Sequence, residues 1–192
     1  MKRTGIFGGS FNPIHNGHIA LVRQLREAAG LDEVWLMVSP QNPLKQQTDL
    51  LDDGLRLRMA RQALAGDLHI RVSDYEFHLP RPSYTWNTLQ ALGQDFPDRE
   101  FVLLIGGDNW ERFPHWYRAD DIVHNYRLVI YPRRGSAIDL AALPPTVTVV
   151  EAELLDISST DIRRRVREGL SVAGLVPDVI VEAVEELYAG RS

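Results

Sequence analysis

The chain has 192 residues, 44% of them hydrophobic, enough to bury a sizeable core within one domain spanning 1–192. With no cysteine, disulfides and thiolate-bound metals are excluded, and a formal net charge of −5 argues against a general nucleic-acid binder, whose footprint would be basic. No apolar run approaches the roughly 18 residues of a membrane span, and Met1-Lys2-Arg3 leads into a short strand instead of a signal-peptide core, so a cytoplasmic protein with no membrane partner is expected.

In chain order, Thr4-Gly5-Ile6-Phe7 reads as a strand that ends in Gly8-Gly9-Ser10-Phe11-Asn12-Pro13-Ile14-His15-Asn16-Gly17-His18 and then turns helical. Paired glycines let a polyphosphate approach the main chain, and a helix start adds free N–H groups and the positive end of a dipole. His15 and His18, three apart, share one face of the first turn if the helix begins near Ile14. On the two glycines alone an ordinary strand-to-helix turn is the favoured reading, and the run matches neither G-x-G-x-x-G nor G-x-x-x-x-G-K-[ST]. The whole run resembles the (T/S)-F-(D/N)-P-x-H-x-G-H signature of the nucleotidylyltransferase superfamily. The resemblance implies that both histidines contact ATP phosphates, with Gly8, Gly9, Ser10 and Phe11 around the nucleotide.

Ile19 to Ala29 keeps a helical apolar stripe capped by Gly30, and Val34-Trp35-Leu36-Met37-Val38 is a buried strand. The Ser39 to Gln47 loop leaves that strand's carboxyl end, where open α/β sheets place ligands. Its Lys45 reads as a surface lysine on residue type alone. The nicotinate-nucleotide branch of the superfamily often carries P-P-H-K here, which implies a phosphate contact for Lys45, although Leu44 stands at the His position.

Asp52-Asp53 open a helix that Gly66 ends, with Arg56, Arg58 and Arg61 expected on a solvated face, and Leu68 to Val72 alternates as a strand. Arg81-Pro82-Ser83-Tyr84-Thr85 precedes an amphipathic helix that Ser83 or Thr85 should cap. P-S-Y-T also resembles the nicotinate-nucleotide motif whose amides meet the substrate carboxylate, implicating Ser83, Tyr84 and Thr85. Phe101 to Ile105 is the central buried strand, ending in Gly106-Gly107-Asp108. The family's I-G-x-D moves Gly106 and Asp108 towards the nucleotide, and its F-P-x-W-Y, here Phe113 to Tyr117, implies Trp116 flat against a pyridine ring with Tyr117 beside it.

A short helix, Ala119 to Asn125, leads to the strand Leu128 to Tyr131, whose exit carries Arg133, similar to the Arg of the family's R-P-G turn. Val147 to Val150 is a further strand. Ile157-Ser158-Ser159-Thr160-Asp161-Ile162-Arg163 supplies three hydroxyls before a helix and an Arg one turn in, an anion cradle or a plain cap on composition. It resembles the superfamily's second signature, I-S-S-T-x-I-R, which implies outer-phosphate contacts from Ser158, Ser159, Thr160 and Arg163. Leu175-Val176-Pro177 introduces a last helix.

Strands alternating with helices predict an α/β fold, a Rossmann-like doubly wound parallel sheet with helices on both faces and a small C-terminal helical portion. The resemblance implies a nicotinate-nucleotide adenylyltransferase using ATP and nicotinate mononucleotide. It also implies Mg²⁺ carried on the ATP phosphates, no metal site of the protein's own, and an oligomeric state left open. A pantetheine-phosphate adenylyltransferase and a non-catalytic nucleotide sensor are the alternatives; P-S-Y-T with F-P-x-W-Y is foreign to the first, and intact signatures argue against the second.

Overall fold

The computed structural model describes residues 1–44 and 48–190. Six strands, β1 (Lys2–Gly9), β2 (Glu33–Val38), β3 (Ile70–Ser73), β4 (Arg99–Gly106), β5 (Arg127–Tyr131) and β6 (Val147–Val149), form one parallel sheet in the order β3-β2-β1-β4-β5-β6. Consecutive strands run outwards in opposite directions from the centre. The order therefore reverses between β1 and β4, and their carboxyl ends flank the crevice where such sheets bind ligands.

Parallel strands are covered on both faces, and period-two alternation explains how the apolar runs serve two cores at once. Phe7 of β1, Val34 and Leu36 of β2 and Leu104 of β4 face one core, shared with α1 (Asn16–Ala28), α2 (Asp53–Ala63), α6 (Ser159–Arg167) and α7 (Val181–Tyr188). Ile6, Trp35, Leu103 and Ile105 face the other, which takes Leu89 and Leu92 of α3 (Thr85–Asp95), Phe113 after α4 (Gly107–Arg112), and Ile122 of α5 (Ala119–Asn125). The doubly wound fold expected from the sequence is present.

Among the boundaries that differ from expectation are two helix starts. The first helix begins at Asn16, not near Ile14, because His15 occupies the capping position. The last helix begins at Val181, since Asp178–Ile180 after Pro177 forms a separate 3₁₀ turn.

Candidate active site

β1 delivers Gly8 to open space, where a β-carbon would meet nothing within 4 Å, and the chain then reverses through Phe11 at φ 48°. That left-handed conformation costs a non-glycine residue roughly 1–2 kcal/mol. The Phe11 ring offsets it by packing at 3% exposure, 6.0 Å from Phe7 and edge-on to His18 at 4.9 Å. Phe11 thus supports the loop, and only its main chain can reach a ligand.

The two histidines cap the helix they begin. His15 Nδ1 accepts from the N–H groups of Gly17 at 3.0 Å and His18 at 3.3 Å, while His18 Nδ1 accepts from the His15 N–H at 3.1 Å. Their rings stack at 3.6 Å between centroids. Gly17 is required there, because a β-carbon would lie 2.8 Å from His15 Cε1. An imidazole whose Nδ1 accepts carries its proton on Nε2, so each ring presents one Nε2–H donor. Burial, with the Arg133 charge, pushes His15 down to about 4, and burial with the charges of His15 and Arg133 holds His18 well below its ordinary value. The pair is neutral at pH 7.

His15 and His18 share a groove of about 400 Å³ with Arg133, Ser158 and Ser159. A second groove of about 510 Å³, lined by Ser10, Asn12, Thr48, Ser159, Thr160 and Arg163, continues from it through Ser159. Sequence reading expects three hydroxyls ahead of α6, but only Ser158 is outside it, accepting from the Asp161 N–H at 3.0 Å. Ser159 Oγ donates to the Pro13 carbonyl at 2.8 Å and Arg163 Nη1 to the Asn12 carbonyl at 2.9 Å. The second signature is therefore docked onto the first, across nearly the whole chain. The first N–H groups of α6 have no partner inside the helix, and Thr160 stands among them.

A third hollow, about 210 Å³, lies over the sheet's switch point and is lined by Gly8, Gly9, Ser83, Thr85, Gly106 and Trp116 among others. Here the capping expectation is corrected. The residue at the cap of α3 is Tyr84, whose side chain makes no capping bond; Thr85 is already helical, and Ser83 Oγ is buried with no hydrogen-bond partner. A buried hydroxyl beside an uncapped helix start is costly unless a ligand or an ordered water completes it. Trp116 is half-buried against Phe113, 5.2 Å away, and contributes to the wall. The Tyr84 and Tyr117 rings meet at a 38° tilt, 4.9 Å apart; they are 43% and 49% exposed and line none of these hollows. Asp108 is half-exposed beside Arg133 at 3.8 Å, and Gly107 gives Ser136 room, since a β-carbon would meet Ser136 Oγ at 2.4 Å. Lys45 lies outside the described residues.

Three supports escape the sequence reading. Arg56 has no exposed surface, against the solvated face expected for it. Its place at i with Met59, Ala60 and Ala63 at i+3, i+4 and i+7 puts it on the buried stripe, a signal its charge conceals. Asn12 donates to Asp49 O at 2.9 Å and accepts from Leu51 N–H at 3.1 Å and Tyr188 O–H at 2.6 Å. Glu76, 8% exposed, lines the third hollow. Among the described residues, no three His, Cys, Asp or Glu gather as a metal cage, and no helix is long and apolar enough to cross a membrane.

Residues 6–165 match the cytidylyltransferase-like family. A protein of Bacteroides fragilis named probable nicotinate-nucleotide adenylyltransferase is 51% identical over 170 residues, covering 88% of this chain and 85% of its own. One of the same name from Bacteroides thetaiotaomicron is 48% identical, covering 96% and 91%. Among solved structures, the Plasmodium falciparum nicotinic acid mononucleotide adenylyltransferase complexed with NaAD superposes with TM-score 0.79 at 20% identity over 98% of each chain, a likeness of fold.

Proposed function

The chain belongs to the cytidylyltransferase-like family and, within it, to the nicotinate-nucleotide adenylyltransferases, and on that premise we propose that it transfers the adenylyl group of ATP to nicotinate mononucleotide, giving deamido-NAD and pyrophosphate. The observation that carries the choice of acceptor is the uncapped start of α3, with the unpaired Ser83 hydroxyl, in a hollow walled by Trp116. A carboxylate at the positive end of a helix satisfies those donors, and an indole face suits the ring that bears it.

In the reaction a phosphate oxygen of the mononucleotide attacks the α-phosphorus of ATP in line. A new P–O bond forms as the bond to the bridging oxygen breaks, and that oxygen leaves with pyrophosphate. The substrate brings its own nucleophile, so the protein's part is alignment and neutralisation of growing charge. His15 and His18 donate from Nε2 to the α- and β-phosphates. Thr160, Arg163 and the first amides of α6, with Ser158 and Ser159 behind them, receive the outer phosphates, and Lys45 is assigned to the same end. Gly8, Gly9 and Ser10 bring main chain to the phosphates, while Gly106, Asp108 and Arg133 border the nucleoside. Tyr84 and Tyr117 stand next in sequence to Ser83, Thr85 and Trp116 of the hollow and serve to place those neighbours, since neither tyrosine lines it. Mg²⁺ carried on the ATP phosphates would supply further neutralisation of charge on the leaving group. We take 1–192 as one catalytic domain working in the cytoplasm.

The test is pyrophosphate release from ATP with nicotinate mononucleotide, nicotinamide mononucleotide or 4′-phosphopantetheine as acceptor. Release with the first, and little with the others, is expected. Release with phosphopantetheine alone, or with none, overturns the proposal.

A further inference from the structure

A buried polar chain runs between the phosphate loop and α3 through residues that the reaction above does not use. Arg56 Nη1 donates to the Ser10 carbonyl at 2.6 Å and to the Ser39 carbonyl, just past β2, at 2.9 Å; Nε donates to Leu51 O at 2.8 Å. Ser39 and Glu76 line the same hollow, and the Glu76 carboxylate accepts from Thr88 Oγ1 at 2.7 Å. Thr88 lies in the opening turn of α3, 3% exposed. Arg56 thus ties Ser10 of the loop assigned to ATP phosphates to Ser39, and across the wall of the hollow Glu76 ties in Thr88 at the helix start assigned to the nicotinate carboxylate.

Arg56 Nη2 also pairs with the Asp53 carboxylate, whereas Glu76 is buried against a hydroxyl, and burying charge at both places is costlier than filling the same volume with apolar side chains. What these two add is fixed geometry between segments far apart in sequence. We propose that Arg56 and Glu76 are positioning residues that couple the two nucleotide subsites, so that filling one lowers the ordering cost of filling the other. This rests on the two-nucleotide reading given above.

Titration calorimetry with α,β-methylene-ATP, alone and with saturating nicotinate mononucleotide, reads the coupling directly. In the wild-type protein the second nucleotide tightens the Kd of the first by at least about fivefold. Glu76→Ala brings that ratio below about twofold, and Thr88→Val, which removes one donor at nearly constant shape, does the same if Glu76→Ala fails to fold. A wild-type ratio of one, or variants that melt earlier yet keep the wild-type ratio, overturns the inference, because a merely structural role moves stability and not coupling. Wild-type pyrophosphate release is measured alongside. Where it occurs, lost coupling counts against the relay alone; where it does not, the functional reading fails and the relay with it.

Discussion

Two helix starts face the same crevice and are finished in opposite ways. At α1 the caps are the imidazoles of His15 and His18, which consume each other's neighbouring amides and leave Nε2–H as the outward donor. At α3 nothing caps the helix: Tyr84 contributes no side-chain bond, and the Ser83 hydroxyl beside it is unpaired. The first start offers side-chain donors whose tautomer is set in advance, suited to charge that develops during reaction. The second offers bare main chain, suited to a carboxylate whose charge is present from the outset. The difference teaches that a helix start can leave donors for an anion through what it lacks as well as through what it carries.

Removing a donor at α1 should have the largest effect. His18→Ala is expected to lower kcat by roughly 10²–10³-fold with a much smaller change in ATP affinity. A near-normal kcat with only a raised KM for ATP, in steady-state kinetics, would assign His18 to binding alone and erase the contrast.

The preset tautomer also fixes a pH dependence. His15 sits at about 4 in the native state against an ordinary 6.5, so between those values the unfolded chain takes up a proton that the folded one excludes. Stability is therefore full above about pH 6.5 and falls as the pH drops towards 4, by roughly 3 kcal/mol from His15 at the low end. Denaturant titrations across pH 4–8 check the sign, and ¹⁵N spectra of both rings should show protonated Nε2 and bare Nδ1 throughout neutral pH. Rings that titrate near 6.5 would contradict the reciprocal caps.

At α3 the expected effect is smaller. Trp116→Ala should weaken nicotinate mononucleotide binding by roughly 1–3 kcal/mol, the scale of base stacking, and leave ATP binding nearly unchanged. If calorimetry finds the mononucleotide Kd intact while the melting temperature falls, Trp116 is a core residue and the hollow is not an acceptor site.

The alternation of apolar strands with amphipathic helices was readable because period and burial coincide; Phe7 and Ile6 serve opposite cores as period two demands. The signature residues come together because most of them sit where strands end. Less legible was the difference between residues that face a ligand and residues that hold those residues in place. Phe11 lies within a signature yet is buried support, and Arg56 looks like a surface charge yet binds the carbonyls of Ser10 and Ser39. Sequence spacing reports which face a side chain leaves from, and carbonyl acceptors supplied by distant loops have no pattern of their own. The cap of α3 escapes the sequence for a related reason: Ser83 and Thr85 have capping side chains, but the backbone puts Tyr84 between them at the cap.

The most direct test of the bare helix start is kcat/KM for nicotinate against nicotinamide mononucleotide, in the wild-type protein and in Thr85→Pro. Proline suits the first position of a helix and deletes one N–H, so the fold should tolerate it while the subsite loses a donor. The carboxylate accepts at both oxygens whereas the amide opposes N–H to N–H, which should separate the substrates by about 3 kcal/mol, roughly a hundredfold or more. The account predicts that ratio in the wild type and its collapse in Thr85→Pro; comparable wild-type values for acid and amide, or a ratio that survives the proline, would contradict it.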